Sequence, residues 1–357
     1  MRLLKRPVHP GRFLVPSLLF AACLSASLLL ADDPFTERRS VLVTGEAAAA
    51  LRAAVRVDGL PDGSLLVLTS GTQSGKRTAV VALVLKDNLV RQRYSVAGWL
   101  KQLGADVLGA SMPGEDEGQV FFVSASADLG RAAASVGWWT TAGAARNGVV
   151  ELRATGTGEF KAVRLVTSSA GVRDVRLLGD GFLALEYDRP AAKPASRRPR
   201  LVRYSWSGSV VTTYQPCPEP FDIHTSRIVA WPDGRFAVVS LSGSPLVVEP
   251  SPATSESPAN RPLEISAMAE GERAVAAFPA DGGRWIVALN SRSAGADTVL
   301  LCRSGSETAV SWRAGVPWNF IHATSEGRIQ GVLFGPDGTR LESVRSRCLA
   351  SATSVTK

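Results

Sequence analysis

Six dipeptides of an acidic residue followed by glycine recur along the chain, and a short apolar run follows most of them. These pairs recur every 45 to 63 residues and begin at Asp62, Glu117, Asp180, Asp233, Asp281 and Glu326. An Asp-Gly pair supplies the positive φ angles that a tight turn between twisted antiparallel strands requires. The runs, such as residues 120–123 and 285–289, are four or five residues long and rich in β-branched and aromatic types. This composition indicates strands instead of helices.

A second hairpin follows most of the first ones. Examples are residues 80–94 with a turn at 86–88, residues 149–166, residues 201–214 and residues 298–306. Two consecutive hairpins give a four-stranded antiparallel blade of about 45–60 residues, which is typical of β-propellers. We therefore predict an all-β β-propeller with six four-stranded blades. Seven blades is the alternative, if residues 131–145 contain another hairpin.

Three segments, residues 57–68, 230–239 and 334–341, carry Pro-Asp-Gly next to an apolar strand. They resemble the Pro-Asp-Gly hairpin repeats of bacterial β-propeller proteins. The resemblance spans residues 38–347 and implies the fold, without implying a particular activity.

The two ends of the chain are predicted to meet in one blade. The last repeat, residues 319–344, holds too few strands for a full blade, whereas residues 39–44 form an isolated strand-like segment. We expect the N-terminal strand to complete the last blade, because this pairing removes an exposed sheet edge.

The N-terminus carries the features of an export signal. Four basic residues precede an apolar stretch at residues 13–31, which predicts a secretory signal cleaved between residues 26 and 31. The alternatives are an uncleaved membrane anchor and a lipoprotein with lipid attached to Cys23. In each case we expect an exported protein, periplasmic or secreted. The predicted organisation is a signal peptide at 1–31, a propeller domain at 32–348 and a disordered tail at 349–357.

The net charge limits the partners that we expect, and the cysteine content limits the possible disulfides. The full chain carries a formal charge of +8, and removal of the four basic signal residues leaves +4. This mild charge disfavours nucleic acid as a partner. Three cysteines follow the signal, at Cys217, Cys302 and Cys348. A Cys302–Cys348 disulfide and three buried free thiols are the two alternatives.

One face of the predicted propeller carries the irregular loops, which are the usual location of function on a rigid scaffold. Tryptophans on this face offer surfaces for sugars or peptide aromatics, and arginines offer charge for an anionic group. The candidate binding residues are Trp99, Trp138, Trp139, Arg197, Arg198, His224, Trp318 and His322. We expect this face to recognise a protein or glycan-like partner; packing residues and a solvated rim are the structural alternative.

Catalytic and metal-binding patterns are sparse. Residues 71–78 approach a phosphate-binding loop, but a strand-like run follows where that motif needs a helix, so we predict a hairpin. The two histidines after the signal show no metal-ligand spacing, although a site shared by His224, His322 and Asp222 is an alternative. We expect no metal and no cofactor.

The predicted function is that of an exported, non-catalytic binding or scaffold protein of the cell envelope. The alternative is an extracytoplasmic propeller enzyme, such as a metal-dependent lactonase or a glycan hydrolase. The innermost strands are mostly apolar, which favours the first hypothesis, but Arg56, Asp174 and Arg176 would give the central channel a polar lining.

Overall fold

The strands form six four-stranded antiparallel sheets, so the prediction of a six-bladed β-propeller is confirmed. A computed structural model describes residues 35–349 with the exception of 61–63, 74–75, 110–111, 126–129, 156–158, 189–198, 220, 232–234, 243, 254–261, 266–269, 281–283, 292–296, 304–309 and 325–326. For residues 70–73, 76–84, 114–125, 303 and 310 it describes the backbone alone. The predictions on the signal segment and on residues 350–357 concern parts of the chain outside this description.

The first three blades follow one another along the chain. Blade 1 consists of β2 (Ala54–Gly59), β3 (Leu65–Gln73), β4 (Lys76–Lys86) and β5 (Leu89–Tyr94). Blade 2 consists of β6 (Pro113–Ala125), β7 (Arg131–Thr140), β8 (Ala145–Ala154) and β9 (Phe160–Ser168). Blade 3 consists of β10 (Gly171–Leu177), β11 (Gly181–Tyr187), β12 (Arg200–Ser205) and β13 (Val210–Thr213). In each blade the first strand is the innermost.

Blades 4 to 6 continue this order. Blade 4 consists of β14 (Ser226–Ala230), β15 (Phe236–Ser240), β16 (Leu246–Val248) and β17 (Leu263–Glu264). Blade 5 consists of β18 (Glu272–Pro279), β19 (Trp285–Ser291), β20 (Asp297–Arg303) and β21 (Val310–Arg313). Blade 6 consists of β22 (Asn319–Ala323), β23 (Arg328–Gly335), β24 (Gly338–Ser346) and β1 (Phe35–Val43).

The N-terminal strand closes the ring, as predicted. β1 pairs antiparallel with β24, from Phe35 opposite Ser346 to Val43 opposite Thr339. A bulge near Glu37, which has a φ of 52°, brings the backbone of β1 towards Arg328. The buried Arg328 guanidinium donates to the Glu37 carbonyl oxygen. The closing strand is therefore held by the sheet ladder and by a buried side chain of the second strand.

The predicted turn at residues 86–88 is confirmed, whereas the dipeptides at Asp62, Asp233 and Asp281 lie outside the described residues. Asp87 and Asn88 both adopt positive φ, 53° and 62°, in the two-residue turn between β4 and β5, as a twisted hairpin prefers. The predicted turn at Glu117-Gly118 is wrong, because Gly118 lies inside β6 and pairs with Trp138 of β7. The strand β7 lies between the end of β6 at Ala125 and the start of β8 at Ala145. Residues 131–145 thus hold a strand of blade 2 and no seventh blade.

Among the described residues, three helices lie in the connections between blades. They are α1 (Gly45–Arg52), between β1 and β2, and α2 (Val96–Leu103) and α3 (Ala105–Leu108), between β5 and β6. Ser95 caps α2, where its Oγ accepts a hydrogen bond from the Gly98 amide at 3.0 Å. Within the described part of the chain, no helix has the length and apolar character needed to span a membrane.

The core consists of apolar clusters packed between neighbouring blades. One cluster joins Val149 of blade 2 to Val175 and Phe182 of blade 3. Another contains Cys302 and Cys348, which are buried and not joined by a disulfide. Cys217 is also buried and free. The structure thus has the three buried free thiols of the second alternative.

Candidate functional site

The innermost strands surround a central cavity of about 820 Å³. Strands β2, β10, β14, β18 and β22 contribute to its wall. Much of the wall is apolar, with side chains such as Val55, Val57 and Ile228. Pockets for small molecules have this size and this combination of apolar walls with a few convergent polar groups. The cavity is therefore the first candidate for a binding site.

Positive charge dominates the cavity. Four arginines line it, Arg56, Arg176, Arg227 and Arg273, whereas Asp58 is the one acidic residue among its lining residues. Asp58 accepts two hydrogen bonds from the Arg56 guanidinium, the longer of them 3.0 Å. Lining residues therefore carry a surplus of three positive charges, in a space whose low-dielectric walls strengthen the electrostatic field.

Asp174 lies behind the cavity wall and links two blades. It is fully buried, its Oδ1 accepts from the Val175 amide and its Oδ2 from the Ile228 amide of blade 4, both at 2.8 Å. Burial raises the pKa of Asp174, while Arg56, Arg227 and the two amides oppose this shift. With this carboxylate counted, the surplus at the cavity is two positive charges. Both oxygens of Asp174 are committed to backbone, so its first role is to join blade 3 to blade 4.

Two of the arginines are held in a partly dehydrated environment. Arg227 donates to the Ser226 carbonyl oxygen at 2.7 Å and to that of His224 at 3.3 Å. Burial lowers the pKa of Arg227 and of Arg176, and the Asp174 carboxylate opposes both shifts. A cation that has lost part of its hydration gains more from an anionic partner than a cation in bulk water. The arrangement therefore favours the binding of an anion.

The two histidines occupy different positions at the cavity. His322 is buried: its Nδ1 lies 3.1 Å from the Phe320 carbonyl oxygen and its Nε2 lies 3.0 Å from Gln330 Oε1. Its ring fills the space beside Gly59, where a Cβ would lie 2.5 Å from the His322 Cδ2. Burial lowers the pKa of His322. This side chain packs blade 6 against blade 1.

His224 is exposed and lines the cavity ahead of β14. The predicted companion Asp222 accepts from the His224 backbone amide at 2.7 Å, so this contact leaves the imidazole out. Among the described residues, no group of three histidine, cysteine or acidic side chains is placed to hold a metal ion.

Most of the candidate tryptophans are core residues. Trp99, Trp138 and Trp318 are 3%, 1% and 0% exposed, and the Trp318 Nε1 donates to Glu342 Oε2 at 3.0 Å. Trp99 lies on α2, Trp138 on β7 and Trp318 just before β22 at the cavity wall, and packing between blades buries all three rings. Trp139 is 43% exposed on β7. Arg197 and Arg198 fall outside the described residues.

Sequence reasoning anticipated Arg56 and Arg176 in the channel but missed Arg227 and Arg273. All four lie on innermost strands, at residues 54–59, 171–177, 226–230 and 272–279. An arginine recurring on the first strand of four repeats is a signal that an alignment of the repeats would have revealed.

Comparisons with known proteins show the fold alone. No family model matches the sequence, and no curated protein matches it. A Bacteroides caccae protein of unknown function is 13% identical, with a TM-score of 0.44 over 77% of this chain and 84% of its own. A glucose dehydrogenase is 12% identical, with a TM-score of 0.47 over 85% of this chain and 98% of its own. Prolyl oligopeptidase B from Galerina marginata is 12% identical, with a TM-score of 0.42, and this chain spans 47% of its length. The resemblance to bacterial Pro-Asp-Gly propellers therefore stays at the level of the fold.

Proposed function

We propose that this protein is an exported, non-catalytic binding protein of the cell envelope whose central cavity receives an anionic group of a protein or glycan-like partner. The observation that carries the proposal is the convergence of four arginines on one cavity of about 820 Å³. Asp58 and Asp174 offset two of these charges, so two positive charges are left for a ligand.

The chemistry of the lining supports a carboxylate or another oxyanion as the ligand group. Guanidinium groups bind such anions through paired, charge-assisted hydrogen bonds. Apolar side chains beside the arginines, including Val55 and Ile228, would cover the uncharged part of the ligand. The proposed contact therefore lies at the axis of the propeller and not at the tryptophans of the loop face.

A binding assay with an acidic oligosaccharide tests the proposal. Fluorescence anisotropy of a labelled uronic-acid oligosaccharide is compared with that of a neutral oligosaccharide of equal length. The purified protein is expected to bind the acidic probe. Arg176→Gln combined with Arg273→Gln is expected to weaken binding at least about tenfold, because it removes two charge-assisted contacts. Both residues line the cavity, and glutamine keeps a polar side chain there, so the fold should tolerate the change.

Arg313→Gln is the matched control. Arg313 lies on the outermost strand of blade 5 and its side chain is 66% exposed, so this variant loses a charge remote from the axis. It is expected to bind like the wild type. Equal binding by the double variant and the control would reject the cavity as the binding site.

Export is tested separately by sequencing the N-terminus of the protein isolated from its own cells. A chain that begins between residues 27 and 32 agrees with a cleaved signal, whereas a chain that begins at Met1 in the soluble cytoplasmic fraction would reject export.

A further inference from the structure

A second arginine cluster lies at the junction of blades 2 and 3. It consists of Arg131 on β7, Arg153 on β8 and Arg164 on β9, which surround the Glu151 carboxylate of β8. The Glu151 Oε1 accepts from Arg131 Nε at 3.1 Å and from Arg153 Nε at 3.2 Å, and Oε2 lies 3.6 Å from Arg164 Nε. None of these residues lines the central cavity.

The cluster borders an open cleft of about 620 Å³. Its wall also contains Gly179 and Asp180 from the β10–β11 turn, Ser205 from the end of β12 and Ser207 from the β12–β13 turn. Guanidinium groups of blade 2 and hydroxyl groups of blade 3 therefore line the same cleft.

The charges in this cleft do not balance. Glu151 is fully buried and is the carboxylate that the three arginines share. Asp180 binds another guanidinium, since both of its oxygens accept from Arg203 Nη2, at 2.9 and 3.1 Å. With Arg203 included, four arginines face two carboxylates, which leaves a surplus of two positive charges.

The geometry holds one arginine in place and leaves the other two accessible. Arg131 Nη1 donates to the Gly179 carbonyl oxygen at 2.8 Å, and its guanidinium lies 6.0 Å from the centre of the Trp206 ring. The side chains of Arg153 and Arg164 are each 51% exposed. Their remaining N–H groups can therefore reach a molecule in the cleft.

We propose that this cleft binds a tetrahedral oxyanion, the phosphate group of inorganic phosphate or of a sugar phosphate. Arginine presents its N–H groups in a planar fork that matches phosphate oxygens. A dianion would neutralise the surplus of two charges. The hydroxyls of Ser205 and Ser207 also line the cleft, where they hydrogen-bond to each other at 2.7 Å and to Ser209. The site is separate from the central cavity and does not depend on the function proposed for it.

The test is an NMR titration of the purified protein with inorganic phosphate at constant ionic strength. The reporter is the indole N–H signal of Trp206, assigned by comparison with a Trp206→Phe variant, because Arg131 lies over this ring. A saturable shift is expected with phosphate. A parallel titration with glucose 6-phosphate distinguishes the sources: tighter binding indicates a sugar phosphate, and equal or weaker binding indicates the free ion.

Paired variants separate the site from general charge effects. Arg153→Gln combined with Arg164→Gln is expected to weaken phosphate binding at least about tenfold, by removal of charge-assisted hydrogen bonds. The matched control is Arg146→Gln, which removes an exposed arginine from the other end of the same strand, β8. It is expected to change the affinity less than about twofold, because screening weakens distant surface charges. Absence of a saturable shift with either probe, or equal binding by the double variant, would overturn the proposal.

Glu151→Gln distinguishes a binding site from a purely structural ion cluster. Neutralising this carboxylate raises the local positive charge, so phosphate affinity is expected to increase several-fold. A structural cluster would lose thermal stability with no gain in affinity. If this variant does not fold, the Arg153→Gln/Arg164→Gln pair decides alone.

Discussion

Blade 6 and blade 4 are stabilised in different ways. Blade 6 combines strands from the two ends of the chain, and several of its polar contacts join these strands to each other. The buried Arg328 contacts Glu37 of the closing strand, and Glu342 of β24 forms an ion pair with Arg38 of β1 at 2.9 Å. These contacts connect residues about 300 positions apart in the sequence.

Blade 4 has shorter strand pairing within the blade, and contacts with blades 3 and 5 help to hold it. Its outer strands β16 and β17 are three and two residues long, and both residues of β17 are exposed. Its innermost strand is held by Asp174 of blade 3, and Trp231 packs edge-on against Trp285 of blade 5 at 5.3 Å. Closing a long loop costs entropy, so the blade that joins the chain ends needs contacts of its own. A blade within the continuous chain can rely on the blades beside it.

Of the predicted changes, removal of β1 is expected to destabilise the protein the most. A chain that begins at residue 44 lacks the fourth strand of blade 6 and leaves the edge of β24 unpaired. It also loses Phe35, which is 2% exposed in the core cluster with Cys348. We expect aggregation or the loss of a cooperative thermal transition in circular dichroism.

The matched control is a chain that begins at residue 35 and keeps the whole strand. It is expected to unfold like the protein that begins at residue 32. A cooperative transition at an unchanged temperature in the chain lacking β1 would show that blade 6 does not depend on ring closure.

Asp174→Asn tests the dependence of blade 4 on blade 3. An asparagine has one acceptor oxygen where two backbone amides, of Val175 and Ile228, now donate to one carboxylate. One buried amide loses its partner, at a cost of about 1–3 kcal/mol in the free energy of unfolding. Urea denaturation measures this cost, and Asp180→Asn, at an exposed side chain of blade 3, is the control.

The stability difference between the wild type and Asp174→Asn should change with pH in one direction, which the pKa of Asp174 determines. Burial raises the pKa of Asp174 in the folded state above its ordinary value. The stability contribution of such an acid is complete below the unfolded pKa and is lost as pH rises through the folded pKa. The stability difference between wild type and Asp174→Asn should therefore shrink as pH rises above about 4. A difference that grows with pH would contradict the raised pKa.

The fold was predictable from the sequence because its turns are local. The Asp-Gly tips and the apolar runs beside them depend on neighbouring residues alone, and five of the six dipeptides lie between the first and second strands of a blade or close to that turn. Glu117-Gly118 failed because a strand with irregular pairing can contain a turn-like dipeptide. β7 was missed because its small residues, Ala132 to Ala134, give a weak strand signal although they are fully buried.

The candidate site was less predictable because it depends on register and burial. Trp138 and Trp318 were assigned to a binding face, yet packing between blades buries both. The convergence of Arg131 and Arg164 on Glu151 follows from strand pairing, in which Arg131 lies opposite Arg153 and Glu151 opposite Arg164. Sequence alone does not give this register, since a shift of one residue would send these side chains to the other face.

The smallest predicted effect concerns His322, on the innermost strand of blade 6. Burial lowers the pKa of His322 below its ordinary value of 6.5. Its contribution to stability is therefore complete above the unfolded pKa and is lost as pH falls through the folded pKa. We therefore expect the free energy of unfolding to decrease as pH falls from 7 to 5. His322→Gln does not titrate in this range and should show a flatter stability profile, measured by urea denaturation.

Equal losses in both proteins would assign the acid sensitivity to another group. A larger loss in the wild type would show that acidification weakens blade 6 over a range in which the Asp174 contact of blade 4 is not weakened.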